Sequence, residues 1–205
     1  MFRALTISRE FGSGGGQIAR IAADRLGWKL LDNNLIVEIA RAARVDPELA
    51  RRFDERIDSW LHRVSRRSLW HGGLEGVAAM DDAACFDAQT MTQLAGSLIR
   101  EAHQQGNCVV VGRGAQCILQ KEKDVFHAYI YAPWAEKVRR VRERVAKGRD
   151  IAELIRATDE CRAEYIRVNY GCEWANPHLY HIMICSSLGE EQAAGDILFA
   201  MRGEE

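Results

Sequence analysis

Proline is scarce, three residues in 205, which excludes a collagen-like or proline-rich chain. No apolar run approaches the roughly 20 residues that a membrane span requires. Neither charge is in excess: 28 Lys and Arg oppose 29 Asp and Glu, a formal charge of -1. A chain so balanced has no global basic field to draw nucleic acid or an anionic membrane, so any anion site must be built locally. The six cysteines (85, 108, 117, 161, 172 and 185) contain no C-x-x-C pair, which points to reduced, mostly buried thiols in a cytoplasmic protein. The charged Arg9-Glu10 comes too early for a signal peptide. There is no internal repeat and no low-complexity segment. What is present is 47% hydrophobic and 28% charged residues, the balance of a soluble globular protein of one domain, with or without a small insert.

Strand and helix signals alternate along the chain. Short strands are expected over residues 5–8, 28–31, 108–111, 125–131 and 181–185. A helix is expected from Gln17, with Ile18, Ala19, Ile21, Ala22 and Leu26 at helical spacing and Gly27 as its stop. Residues 35–67 read as helical, with a fresh start at Pro47. The stretch 70–76 is glycine-rich. Residues 81–105 read as a helix burying Met91, Leu94, Ala95, Leu98, Ile99 and Ala102. Further helices are expected at 134–147, 151–169 and 190–201. Such alternation implies an α/β fold with a parallel sheet covered on both faces. The helical surplus after the second strand and the pair at 134–169 are two excursions from that core.

The strongest local signal is Gly12-Ser-Gly-Gly-Gly16 between the first strand and the first helix. Backbone N–H groups at such a junction cradle phosphate on a positive helix end. The standard motif G-x-x-x-x-G-K-[ST] fails at three places: Arg9 stands at its first position, Gly15 at the lysine and Gly16 at the Ser/Thr. A dinucleotide reading has Gly12, Gly14 and Asp32 in its favour, but Gln17 holds the third glycine position. It also wants a third strand where helices run instead.

The segments Ile7-Ser-Arg-Glu-Phe-Gly-Ser-Gly-Gly15, Ile18-Ala19, Leu31-Asp32 and Val109-Val-Val-Gly-Arg-Gly114 carry a resemblance. So do Asp159-x-x-Arg162 with Tyr165, and Pro177, Tyr180, Ile184 and Gly189. With these, the chain resembles the cytidylate kinase-like family, a branch of the nucleoside monophosphate kinases, over residues 3 to 200. The resemblance implies a P-loop kinase-like three-layer core with a five-stranded parallel sheet of order 2-3-1-4-5. It also implies a helical monophosphate-binding insert (35–105) and a helical lid (134–169) within a single domain, 1–205. ATP would lie at Gly12, Ser13, Gly14, Gly15 and Gly16, with Mg²⁺ bridging its phosphates and a nucleoside monophosphate opposite. Two positions depart from cytidylate kinases: the loop lysine is Gly15, and the aspartate after Gly112-Arg113 is Gly114.

Phosphoryl transfer is mostly positioning and cancellation of charge on the moving group, so a missing lysine must be made good elsewhere. Arg9 at the loop entrance and Arg113 after the central strand are the catalytic candidates. Residues 136–149 carry seven basic residues against Glu136 and Glu143, around a packed stripe of Val138, Val141 and Val145. They fall where the related kinases have their lid, whose arginines grip ATP; Arg140 and Arg144 are assigned that role. Asp159 and Arg162 share a helix face, and the resemblance places them, with Asp32, on the monophosphate nucleotide. Arg156 is one residue off the family's upstream arginine. The arginine- and aromatic-containing stretch 51–67 reads as part of the nucleotide-clamping excursion rather than a nucleic-acid surface. The histidines show no metal-binding cluster; His178 and His181 point to opposite faces of a strand-like segment.

The expected activity is ATP-dependent phosphorylation of a nucleoside monophosphate, CMP or dCMP. The alternatives are a non-catalytic nucleotide-binding regulatory module and a kinase for another small acceptor. The expected partners are small-molecule nucleotides, with neither nucleic acid nor membrane; homo-oligomerisation stays open.

Overall fold

The computed structural model of the protein describes residues 1–32, 82–145 and 149–202. The helical reading over 35–67, the arginine stretch 51–67 and the glycine-rich 70–76 lie outside the described residues, as does residues 35–81 of the expected insert.

Five parallel strands form one sheet in the order β2-β3-β1-β4-β5, as the resemblance implies. They are β1 (Ala4–Arg9), β2 (Lys29–Leu31), β3 (Cys108–Val111), β4 (Val125–Tyr131) and β5 (Ile182–Cys185). The register runs Leu5 against Val109 and Phe126, and Ile130 against Ile184. Cys108, Val109, Val110 and Val111 are all buried, which is why β3 reads as a continuous apolar run: both its faces are covered.

The helices are α1 (Gly15–Leu26), α2 (Asp82–Gln105), α3 (Ala115–Ile118), α4 (Trp134–Arg144), α5 (Ile151–Tyr170) and α6 (Glu190–Arg202). On one face α1 and α6 bury Ile18, Ala19, Ala22, Ala193, Ala194 and Ile197 against Leu5, Ile7, Val109, Phe126 and Ile130. On the other, Ala95 and Ile99 of α2 pack with Val110, Ala115 and Leu119. The stripe expected on α4 is present: Val141 is buried with Leu154 and Ile155 of α5, and Val138 and Val145 pack beside them. Two helix boundaries differ from expectation by more than one residue. Helix α1 starts two residues early, because Gly14 takes a left-handed turn (φ 78°) and serves as its N-cap. Helix α4 stops at Arg144, where Val145 turns extended. The one-turn α3 has no counterpart in the sequence expectation. Cys108, Cys117, Cys161, Cys172 and Cys185 are free thiols. Among the described residues, no helix is long and apolar enough to cross a membrane.

Candidate functional site

All five strands point the same way, so their carboxyl ends share one edge, and the glycine loop opens there. Arg9 closes β1, residues 10–14 form the loop, and α1 begins at Gly15. No side chain caps α1. Its first N–H groups therefore face outward from a positive helix end, the arrangement that takes up an anion.

The loop is held from behind. Asp159 Oδ1 accepts from the Phe11 N–H at 2.7 Å, and Arg162 donates to the Arg9 carbonyl at 2.5 Å. Arg140 donates from Nη1 to the Ser13 carbonyl at 2.9 Å and to the Ser186 hydroxyl at 2.7 Å. Engaging these carbonyls with guanidinium groups offsets negative charge where an anion would bind. Ser13 is fully buried, and its hydroxyl donates to the Glu10 carbonyl at 2.8 Å. Gly12 admits α4: a Cβ there would lie 2.9 Å from Val141 Cγ2 and 3.0 Å from the Lys137 carbonyl oxygen.

Behind the loop lies an ion cluster whose cations are buried and whose carboxylates are half-buried. Lys137 is 7% exposed, and its Nζ reaches Asp159 Oδ2 at 2.6 Å and Glu10 Oε2 at 3.2 Å. Arg162, 8% exposed, stands 3.6 Å from Asp159 Oδ1 and lies over the Phe11 ring. Removing one member of so enclosed a set would strand its partners, so the cluster fixes geometry more than it adds stability.

Arg113 follows β3 by two residues in a left-handed conformation (φ 58°), with Gly112 and Gly114 also at positive φ. It is half-buried, and its carbonyl accepts from the Tyr170 hydroxyl at 3.3 Å. Burial raises the Tyr170 pKa, so that hydroxyl keeps its proton. Asp32 follows β2 on the same edge and is half-buried.

The structure thus brings Arg9, Gly12, Ser13, Gly14, Gly15, Gly16, Arg140, Asp159 and Arg162 together, with Arg113 and Asp32 along the same edge. Arg144, the last residue of α4, is exposed. Asp159, Arg162 and Arg140 were expected on nucleotide; here they grip the loop's own backbone. Arg156 lies over the Trp134 ring at 5.3 Å. Sequence reasoning missed Lys137. Its signal was helical spacing, for it lies one turn before the buried Val141, on the packed flank of α4. Away from this edge, just before β4, His103, Glu122 and Asp124 bring ligand atoms within 4.8 Å of one another, a grouping the sequence did not reveal. There His103 Nε2 meets Asp124 at 2.8 Å, and Arg3 pairs with the same carboxylate.

The loop provides no hydroxyl for Mg²⁺ at the position where the standard motif has one. That position is Gly16, and a Cβ there would meet nothing within 4 Å.

No curated protein matches the chain. Among solved structures, it is similar to an uncharacterized protein from Eubacterium ventriosum ATCC 27560 (20% identity, all of both chains covered, TM-score 0.69). It is also similar to a sugar kinase from Janibacter sp. HTCC2649 (14% identity, 98% of this chain and 95% of that one, TM-score 0.55). A shikimate kinase from Acinetobacter baumannii in complex with shikimate matches at 14% identity (97% and 92% covered, TM-score 0.53). These likenesses show the P-loop kinase fold. The family model described as "Cytidylate kinase-like family" matches residues 4–188, which is most of the chain. The protein therefore belongs to the cytidylate kinase-like family.

Proposed function

We propose that the protein transfers the γ-phosphoryl group of ATP to a nucleoside monophosphate, CMP or dCMP, acting on free nucleotides in the cytoplasm. The observation that carries this reading is the uncapped start of α1 at the carboxyl edge of the sheet, with Arg9 at its entrance and the Arg113 turn on the same edge. In this reading the backbone of residues 12–16 takes the ATP phosphates. Arg113 and Arg9 offset charge on the moving phosphoryl group. Arg140 and Arg144 come from the lid, 134–169, and Asp32, Asp159 and Arg162 serve the acceptor side with the insert, 35–105. Arg140, Asp159 and Arg162 would do so while fixing the loop. Mg²⁺ would arrive on the ATP phosphates and keep water ligands, since Gly16 offers it no side chain.

One observation favours the second reading, a nucleotide-binding module without catalysis. The loop lacks its lysine, and the buried Lys137 is committed to two carboxylates. A coupled ADP-release assay across CMP, dCMP, UMP, AMP, GMP and a set of non-nucleotide alcohols, beside ATP binding by calorimetry, separates the two. Acceptor-dependent release, fastest with the cytidine nucleotides, supports the kinase. ATP binding with no release for any acceptor supports the module, and release only with a non-nucleotide acceptor moves the substrate class.

A further inference from the structure

We propose that the loop's phosphate-facing cation has been transposed. Arg9, at the first position of the motif, supplies the charge that a lysine supplies at its seventh, and Gly15 and Gly112 are kept free of side chain to admit it. The inference rests on the reading of the loop as an ATP site.

Three distances carry it. A Cβ on Gly15 would lie 2.4 Å from Arg9 Cβ and 2.8 Å from Arg9 Cγ. A lysine at 15 and the arginine at 9 would therefore leave the backbone into the same space, and only one can be present. At the far end of the side chain, a Cβ on Gly112 would lie 2.2 Å from Arg9 Nη1. The arginine thus spans from the start of α1 to the turn that carries Arg113. The clearing is local, since a Cβ on the next residue of α1, Gly16, would meet nothing within 4 Å. The stem of Arg9 is also well anchored. Its backbone pairs in register with Ile130, and its carbonyl is held by Arg162. A guanidinium keeps its charge throughout the working pH range and offers a planar fork of donors to phosphate oxygens, where lysine offers a point charge.

The test uses Arg9→Met, Arg9→Lys, Gly15→Lys and the transposed double variant Arg9→Gly/Gly15→Lys. For each, thermal melting, ATP·Mg²⁺ affinity by calorimetry and the rate of ATP turnover are measured. Arg9→Met should stay folded and lose on the order of a hundredfold in rate, the usual effect of deleting one donor aimed at transition-state charge. Arg9→Lys should fall between Arg9→Met and wild type. Gly15→Lys alone should impair the loop, because both chains compete for one space. The double variant, which restores a lysine at the standard position, should recover at least tenfold over Arg9→Met. If wild type binds ATP without turnover, the same order is read in ATP affinity. Wild-type behaviour in Arg9→Met, or a double variant no better than Arg9→Met, overturns the transposition while leaving the ATP site standing. Failure of the wild-type protein to bind ATP overturns both.

Discussion

Gly114 stands where cytidylate kinases continue to aspartate, and Tyr170 occupies the space such a side chain would need. A Cβ on Gly114 would lie 2.2 Å from Tyr170 Cε2, 2.7 Å from Cζ and 2.9 Å from the hydroxyl oxygen. The ring cannot give way cheaply. It packs edge-on against Tyr165, and its hydroxyl bonds to the Arg113 carbonyl. Gly114→Ala therefore carries two penalties. Holding alanine at φ 72° costs about 1–2 kcal/mol. Forcing a side chain into occupied space costs a further ~1–3 kcal/mol. A total of about 2–5 kcal/mol corresponds to a fall of roughly 10 °C in melting temperature for a domain of this size. Tyr170→Ala loses the half-buried ring but opens the space. The double variant Gly114→Ala/Tyr170→Ala should thus be more stable than the sum of the single effects by at least ~1 kcal/mol. Urea denaturation of wild type, both single variants and the double variant closes the cycle. A Gly114→Ala protein within ~0.5 kcal/mol of wild type, or strict additivity, would refute the idea that Tyr170 is what excludes a side chain here.

Three further outcomes are expected. Arg113→Lys keeps the charge but loses the planar fork; it and Arg113→Ala should lower kcat on the order of a hundredfold while the melting temperature moves by only a few degrees, and wild-type rates would pass the role to the lid arginines. Burial, aided by His181, lowers the His127 pKa to about 4 from an ordinary 6.5. The unfolded chain therefore takes up a proton that the native state refuses, so stability should fall as pH drops from about 6.5 towards 4, by up to roughly 3 kcal/mol. Urea midpoints at pH 7 and 4.5 measure this, and His127→Gln should flatten the dependence; an equally steep profile in that variant would assign it elsewhere. Amide hydrogen exchange across α4 and α5 should slow when ATP and CMP are both added, because a closing lid excludes water from its own helices; unchanged exchange at saturating ligand would count against a lid.

Local chemistry made the scaffold legible. The limits of β3 and β4 match the expected strands 108–111 and 125–131; β3, buried on both faces, leaves an unbroken hydrophobic signature, whereas His127 interrupts that of β4. The strand order came from the resemblance, since periodicity cannot say which strands are neighbours. The one-turn α3 was invisible because four residues are too few to show a helical period. The site was legible as a place and less so as a set of contacts. The glycine loop, Arg9 and the Arg113 turn all lie at the expected edge. Which of the basic residues on α4 turns inward depends on how that helix crosses the loop. Helical spacing points to Lys137, one turn before the buried Val141, but spacing alone could not choose Arg140, which meets the loop, over the exposed Arg144. The partners of Asp159 and Arg162 were hidden for the same reason. A shared helix face is written in the sequence, but the Phe11 N–H and the Arg9 carbonyl that the pair serves lie about 150 residues away.

The most direct measurement follows the phosphorus itself. Purified protein is mixed with ATP labelled at the γ-phosphoryl group, Mg²⁺ and CMP, and the products are separated by anion exchange. Label appearing in CDP at the rate at which ADP forms, and lost in Arg113→Ala, is the expected result. Label remaining in bound ATP, or released only as inorganic phosphate whatever monophosphate is supplied, would contradict phosphoryl transfer to a nucleotide at this site.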